Sequence, residues 1–245
     1  SESTLPVMIH VSANASLSLI ETLEGQDETQ QSVWIDIGPS AQVVHSRNAL
    51  NDARSSWQYL NVRLQHSARY QLNNHALGSG IRRQDLHIIM DGRGADAKLV
   101  SAGLVDNKAA LDQQITMEHR QPRGRSEQTI HNIVANGGKC TFNGRIHIHK
   151  GASGTDARLS NKNLGMGENA IINTKPELEI YTDDVSCSHG ATIGTLSKEA
   201  LFYLTSRGID QAAAEALEGQ REAAAEAQEG QEEHEGRTSG GSNHA

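Results

Sequence analysis

Apolar and polar residues alternate with a period of two in six segments of the chain. In the clearest, residues 139–150, Cys140, Phe142, Ile146 and Ile148 share one parity and polar side chains take the other. Such alternation predicts β-strands that bury one face and expose a polar one. The other five segments are 7–11, 33–37, 60–64, 86–90 and 111–117.

Glycine-containing breaks separate these segments, so we predict an all-β body built from short strands. A sandwich, a barrel and a β-helix all accommodate such spacing, and periodicity does not choose among them. Aromatic residues make up only 3% of the chain, which favours the narrow interior of a β-helix. One helix is predicted over 197–207, with Ser197 as its N-cap and Gly208 as its end.

The C-terminal part of the chain differs in composition from the rest. The formal net charge is −8, and nine acids against two bases in residues 209–245 supply −7 of it. The sequence AAAEALEGQ at 212–220 returns as AAAEAQEGQ at 223–231, with almost nothing apolar to pack. We therefore predict a β core over 1–196, a helical segment over 197–235 and a disordered tail over 236–245.

Composition excludes several classes of protein. The acidic balance argues against a nucleic-acid partner, and two cysteines cannot staple a disulfide scaffold. No apolar run approaches the ~20 residues of a membrane span, and no secretory signal is visible. We expect a cytoplasmic protein without a membrane partner. The missing initiator Met predicts a fragment or a processed product.

The chain lacks the common motifs of catalysis and nucleotide binding. The phosphate-binding motifs G-x-x-x-x-G-K-[ST] and G-x-G-x-x-G do not occur in the sequence. The catalytic motifs H-E-x-x-H and G-x-S-x-G do not occur either. We therefore expect no ATPase activity from this chain alone.

Two residue pairs remain as candidate metal ligands, His147 with His149 and Cys187 with His189. In a strand, His147 and His149 lie on the same polar face, about 7 Å apart. That spacing can hold a metal, but we favour a solvated polar face.

Cys187 and His189 also share a face if their segment is extended, and thiolate and imidazole both suit iron, zinc or copper. Two ligands do not complete a site. Asp183 and Asp184 or another chain would have to supply the rest.

Three consecutive runs carry a resemblance to a known family: NTKPELEIY at 173–181, DDVSCSHGATIG at 183–194 and EALFYLTSRGI at 199–209. Upstream, SEQ at 126–128, FNGRI at 142–146, TDA at 155–157 and NKNL at 161–164 fit the same pattern. Together they resemble the SufB/SufD family of iron–sulfur cluster assembly proteins. The Cys-Ser-His-Gly form of the second run is similar to the SufD branch.

The resemblance implies a right-handed parallel β-helix with a short C-terminal helical segment. It also implies a non-enzymatic scaffold subunit in a SufB–SufC–SufD complex, in which SufC is the ATPase. SufB pairs with its partner through the β-helices, and the nascent, transient iron–sulfur cluster forms at that pairing. Carried over to this sequence, the histidine that takes part is His189, with Cys187 beside it and the other ligands from SufB. Whether the complex also binds a reduced flavin is left open.

This sequence departs from the family at both ends. Family members carry a largely helical N-terminal region, so we expect this chain to begin inside the β-helix. The Ala/Glu/Gln repeat stands where the family has an apolar segment that docks SufC, so SufC docking does not follow from the resemblance. Without SufB, a weak homodimer is expected.

The alternative function is a carbohydrate-active β-helix enzyme, with Asp183/Asp184 and Glu177/Glu179 as its carboxylates.

Overall fold

The computed structural model describes residues 2–3, 5–23, 27–49, 54–167, 169–195, 202 and 205–208. Within them the chain is almost entirely β-strand. The strands are β1 (Glu2–Ser3), β2 (Val7–Val11), β3 (Ser16–Leu23), β4 (Glu28–Ile37), β5 (Gln42–Ala49), β6 (Ser55–Leu64), β7 (Arg69–Ala76), β8 (Ile81–Met90), β9 (Asp96–Val105), β10 (Ala110–His119), β11 (Arg125–Ala135), β12 (Lys139–Ile148), β13 (Thr155–Met166), β14 (Ile171–Ile180) and β15 (Val185–Thr195).

The strands form two parallel sheets. Sheet A has the order β1-β4-β6-β8-β10-β12-β14, with β2 also paired to β4, and sheet B has the order β15-β13-β11-β9-β7-β5-β3. From β3 onward, successive strands alternate between the sheets, so the chain winds as a β-solenoid of about 6 turns. The prediction of a parallel β-helix is confirmed, and the sandwich and the barrel are excluded.

Apolar residues stack in register along the inner face of sheet A. Leu60 lies opposite Leu86 on the next strand, and Leu86 lies opposite Ile115. These side chains are at most 2% exposed and belong to the main core cluster. All six segments with alternating polarity are strands of sheet A, and Cys140 is fully buried as predicted.

The inner face of sheet B is more polar. The amide nitrogen of Asn74 donates to Gln84 Oε1 and to Ser101 Oγ, both at 3.0 Å. Gln84 in turn donates to Gln58 Oε1 at 2.8 Å. Buried amides are tolerated because they pair with one another. Gln58 and Gln84 lie on sheet A, so the network spans both sheets. The buried polar residues of sheet B, such as Asn74, Ser101 and Asn132, break its apolar alternation, which is why the sequence pattern did not identify its strands.

The chain divides into two compact units, Ser1–Ile193 and Gly194–Ala245. Of the helix predicted over 197–207, Phe202, Thr205 and Ser206 are helical, and most of the remainder lies outside the described residues. The predicted segments beyond residue 208 also lie outside them. In the part of the chain that the structure describes, no helix has the length and apolar character needed to cross a membrane.

Candidate functional site

The predicted ligands lie at the C-terminal end of the solenoid, on its last strand. β15 is the terminal strand of sheet B, and β14 is the terminal strand of sheet A. Among the described residues, no strand pairs with the outer edge of either. Backbone N–H and C=O groups at such an edge can pair with another chain.

Two hydrogen bonds fix the backbone on either side of the candidate ligands. In the turn before β15, the N–H of Gly154 donates to the carbonyl of Asp184 at 2.7 Å. Further along, the side-chain amide of Asn163 donates to the carbonyl of Thr192 at 3.2 Å. Because Asn163 is only 2% exposed, this bond ties the edge strand to the interior. The segment between the two bonds is therefore held in position.

Cys187 and His189 share a face of this strand, as the sequence predicted, but differ in exposure. Cys187 is half-buried and packs against the main core cluster, whereas His189 is exposed. The two residues are two positions apart along the strand, so their Cα atoms are ~7 Å apart. The His189 side chain makes no hydrogen bond with any described residue, so neither ring nitrogen is committed within that part of the chain.

The Cys187 thiol is not activated by its surroundings. Burial raises its pKa above the ordinary value, and the carboxylate of Asp156 raises it further, while a hydrogen bond with the backbone of Ala157 acts in the opposite direction. The acid that acts on the thiol, Asp156, lies on the neighbouring strand β13.

Cys187 and His189 do not form a metal site by themselves. Across the described ranges, no group of three or more His, Cys, Asp or Glu side chains is arranged to hold a metal ion. Asp183 and Asp184 therefore do not complete the ligand set.

The His147–His149 pair is committed to other partners. His147 and His149 face outward from sheet A, with ring centroids 4.3 Å apart. His147 Nδ1 lies 2.7 Å from Glu179 Oε2, and His149 Nε2 lies 2.6 Å from Glu118 Oε1. Their nitrogens are directed to different carboxylates, as expected of a polar face and not of a metal site.

Glu118 is the centre of a charged cluster that sequence reasoning missed. Besides the contact with His149, Glu118 Oε2 lies 2.8 Å from His87 Nε2. Arg120 Nε donates to Glu118 Oε1 at 2.8 Å. The cluster joins β8, β10 and the residue that follows β12. No local motif marks it, because the contacts to His87 and His149 each span 31 residues.

Two of the four carboxylates of the carbohydrate-active alternative, Glu177 and Glu179, are occupied by bases. Glu177 contacts Lys175 and Arg145, and Glu179 contacts Arg145 and His147. A glycosidase needs one carboxyl group kept protonated and a second free to attack or to activate water. The ion pairs engage both glutamates, and they lower the pKa of Glu177, so they do not support this alternative.

Comparison with known proteins identifies a related family. Residues 3–217 match the family described as SUF system FeS cluster assembly, SufBD core domain. The iron–sulfur cluster assembly protein SufD of Escherichia coli is 33% identical over 184 residues, covering 75% of this chain and 44% of that protein. Protein ABCI7, chloroplastic, of Arabidopsis thaliana is 30% identical over 219 residues, covering 85% and 45%. A SufBD family protein of Synechocystis is 29% identical over 225 residues, covering 86% and 49%. The chain thus spans about half the length of these curated relatives.

The burial of the two cysteines predicts their order of alkylation. With iodoacetamide at pH 8, we expect Cys187 to react more slowly than the thiol of an unstructured peptide, because its raised pKa lowers the thiolate fraction. Cys140, whose pKa burial raises to about 12, is expected to react only after unfolding in urea. Mass spectrometry follows the adducts, and the Cys140→Ala and Cys187→Ala variants assign them. Native labelling of Cys140 ahead of Cys187 would contradict the structure.

The Glu118 cluster predicts a loss of stability in acid. Burial of the carboxyl raises its pKa, but hydrogen bonds from Arg120, His149 and His87 outweigh this and lower the pKa from 4.5 to about 2. Because the folded pKa is the lower one, the stabilisation is complete above pH ~4.5 and is lost as pH falls through ~2. At 1.36 kcal/mol per pKa unit it amounts to about 3 kcal/mol at neutral pH.

Urea unfolding of Glu118→Gln at several pH values measures this contribution. We expect a loss of about 2–3 kcal/mol at pH 7, and a difference from the native chain that shrinks below pH ~4.5. Glu127→Gln is the control, since Glu127 is exposed and lies 3.7 Å from its partner Lys98. A difference that stays constant down to pH 2 would show that the charge of Glu118 is not the cause.

Proposed function

The chain belongs to the SufBD core-domain family of the SUF iron–sulfur cluster assembly system, and on that premise we propose that it is a non-catalytic scaffold subunit for de novo cluster assembly. The observation that carries the proposal is the position of His189. It is an exposed, uncommitted imidazole on a terminal strand of the solenoid, next to a half-buried thiol.

The partner we propose is SufB, joined to this chain through the C-terminal ends of the two solenoids. The described residues leave the outer edges of β14 and β15 without a paired strand. A second parallel β-helix satisfies such an edge by adding strands to both sheets, since main-chain hydrogen bonds extend in the same direction. SufC completes the proposed complex.

The nascent cluster is the cargo of this interface, and His189 is its proposed first ligand from this chain. A neutral imidazole binds iron without losing a proton, whereas the raised pKa of Cys187 keeps its thiol protonated. Cys187 therefore contributes less, and only when its proton is removed. The remaining ligands come from SufB, since the described residues of this chain do not form a complete site. A histidine ligand also suits a cluster that must be released, because its bond is weaker and depends on pH.

Rescue of cluster assembly tests the ligand. In a strain lacking its own SufD subunit, we expect His189→Ala to lower rescue at least about tenfold, the usual scale for losing a group that supports metal binding. Cys187→Ala is expected to have a smaller effect, and His147→Ala, from the committed histidine pair, is the control. Activity of a cluster-dependent enzyme is the readout, and co-purification of SufB and SufC checks assembly. Equal rescue by His189→Ala and His147→Ala in assembled complexes would refute the assignment.

Gly190 offers a test of the pairing itself. A Cβ added there meets nothing within 4 Å, so the isolated chain accommodates a larger side chain. In a paired complex the same side chain would lie at the edge where the partner strand is proposed to pair, on the face of β15 opposite His189. We expect Gly190→Leu to keep the thermal midpoint of the chain and to reduce co-purification of SufB, with Gly190→Ala intermediate. Unchanged recovery of SufB with Gly190→Leu would exclude close packing of a partner at this position.

A further inference from the structure

Both tryptophans of the chain lie on one exposed region, at the N-terminal end of sheet A. Trp34 faces outward from β4 and is 42% exposed, and Trp57 faces outward from β6 and is 55% exposed. Tyr59 is the next outward-facing residue after Trp57. We call Trp34, Trp57 and Tyr59 the aromatic shelf. Tryptophan and tyrosine are enriched in binding surfaces because they bury a large area while losing little conformational entropy. The shelf is remote in sequence from the β15 site and independent of the function proposed above.

The rings of the shelf are held in place before any ligand arrives. Trp57 Nε1 donates to Asp85 Oδ2 at 2.8 Å, and the Arg83 guanidinium lies 5.6 Å from the centroid of the Trp57 ring. Trp34 and Tyr59 form a tilted pair with ring centroids 5.4 Å apart. A surface that is already ordered loses less entropy on binding than a mobile one.

Two shallow depressions adjoin the shelf, one bordered by Tyr59 and the other by Trp34. The first has a volume of about 400 Å³ and also includes Trp57, Gln30 and Ser32. The second, of about 440 Å³, adds the apolar side chains of Met8 and Ile9. Each volume lies at the lower end of the range for small-ligand pockets.

The spacing of the shelf suits a short extended peptide. Trp34 is in register with Asn61, which is four residues beyond Trp57 on the next strand. The two indoles are therefore offset by ~13 Å along the strand direction. A polyproline II helix rises ~3.1 Å per residue, so about four residues cover the distance.

The charges around the shelf argue against a charged partner. Arg83 is paired with Asp85 and Asp112, Arg63 with Asp91, and Asp36 with His10. A phosphate or another ion would have to compete with these pairs. An uncharged partner leaves all of them in place, and the apolar lining gives it surface to bury.

The hydrogen-bonding capacity of the shelf points in the same direction. The Trp34 indole N–H has no acceptor among the described residues. The spare group is therefore a donor, which requires an acceptor on the partner. A proline-rich segment has this chemistry, because its carbonyls accept hydrogen bonds while each proline lacks an N–H. Its flat rings are also the groups that aromatic-lined grooves receive in known modes of peptide recognition.

From these observations we propose that the aromatic shelf is a docking site for a proline-rich segment of a partner protein. The segment lies across β4 and β6 in the polyproline II conformation, with prolines in the two depressions and a carbonyl accepting from Trp34.

Intrinsic fluorescence tests the proposal directly, because the two tryptophans of the chain are both on the shelf. The full chain is titrated with an acetylated and amidated proline decamer, with a Gly-Ser decamer of equal length as the control peptide. We expect a saturable change in tryptophan emission with the proline peptide alone. Isothermal titration calorimetry provides a second readout for variants that lose an indole.

Variants then locate the contact. Trp57→Ala, Trp34→Ala and Tyr59→Ala are each expected to weaken binding at least about tenfold, the usual effect of removing an aromatic anchor. Tyr181→Ala is the matched control, since Tyr181 is an exposed aromatic residue at the other end of the same sheet. Circular dichroism confirms that each variant is folded, and Trp57→Phe replaces Trp57→Ala if that variant is not.

Three results would overturn the proposal. They are the absence of a saturable response to the proline decamer, binding that persists in all three shelf variants, and saturable binding of cellohexaose in place of the peptide. The last would identify the shelf as a carbohydrate platform, which also uses exposed aromatic rings.

Discussion

Each turn of this solenoid satisfies its backbone hydrogen-bonding groups only through the turns before and after it. Parallel strands cannot pair with their immediate neighbours in sequence, because the chain must first cross to the other sheet. β10 illustrates the dependence, since it is paired along its whole length with β8 on one side and with β12 on the other. The constraint ends at β14 and β15, where the described strands supply no further partner. The site we propose for cluster assembly lies where the repeating pattern leaves unpaired groups.

The interior makes the register of these turns specific. Apolar residues stack with some freedom, but the buried amides of the two sheets pair only where donor meets acceptor. Gln113 donates to both Gln84 and Ser101 at 3.1 Å, so it links one turn to the previous one and sheet A to sheet B. A slip by one residue would expose the apolar column to water and leave these buried amides without partners. The buried amides thus add little hydrophobic stabilisation, but they select one alignment of the turns over the others.

The outer face of sheet A carries two kinds of surface, one toward each end of the solenoid. Toward the C-terminal turns, acidic and basic side chains pair across neighbouring strands, as Glu118 and Arg145 do with their partners. Toward the N-terminal turns, the same face carries the aromatic shelf. The paired charges engage the carboxylates and the histidines with one another, whereas the shelf leaves large apolar rings in water. The proposed cluster ligand and the proposed peptide site therefore occupy different turns of the solenoid.

The sequence by itself determined six strands of sheet A, the burial of Cys140, the shared face of Cys187 and His189, the family and, through the family, the parallel β-helix. These follow from local alternation and from a contiguous motif, both of which are properties of neighbouring residues. Only the tertiary structure decided where the strands of sheet B lie and that Glu118 collects His87 and His149. The turns are unequal in length: partners are 26 residues apart from Leu60 to Leu86 but 32 apart from Gly144 to Pro176. Because register across turns is set by packing and hydrogen bonding, no fixed sequence spacing reveals which side chains meet. The same reason applies to His189, whose exposure depends on which strand is last in its sheet.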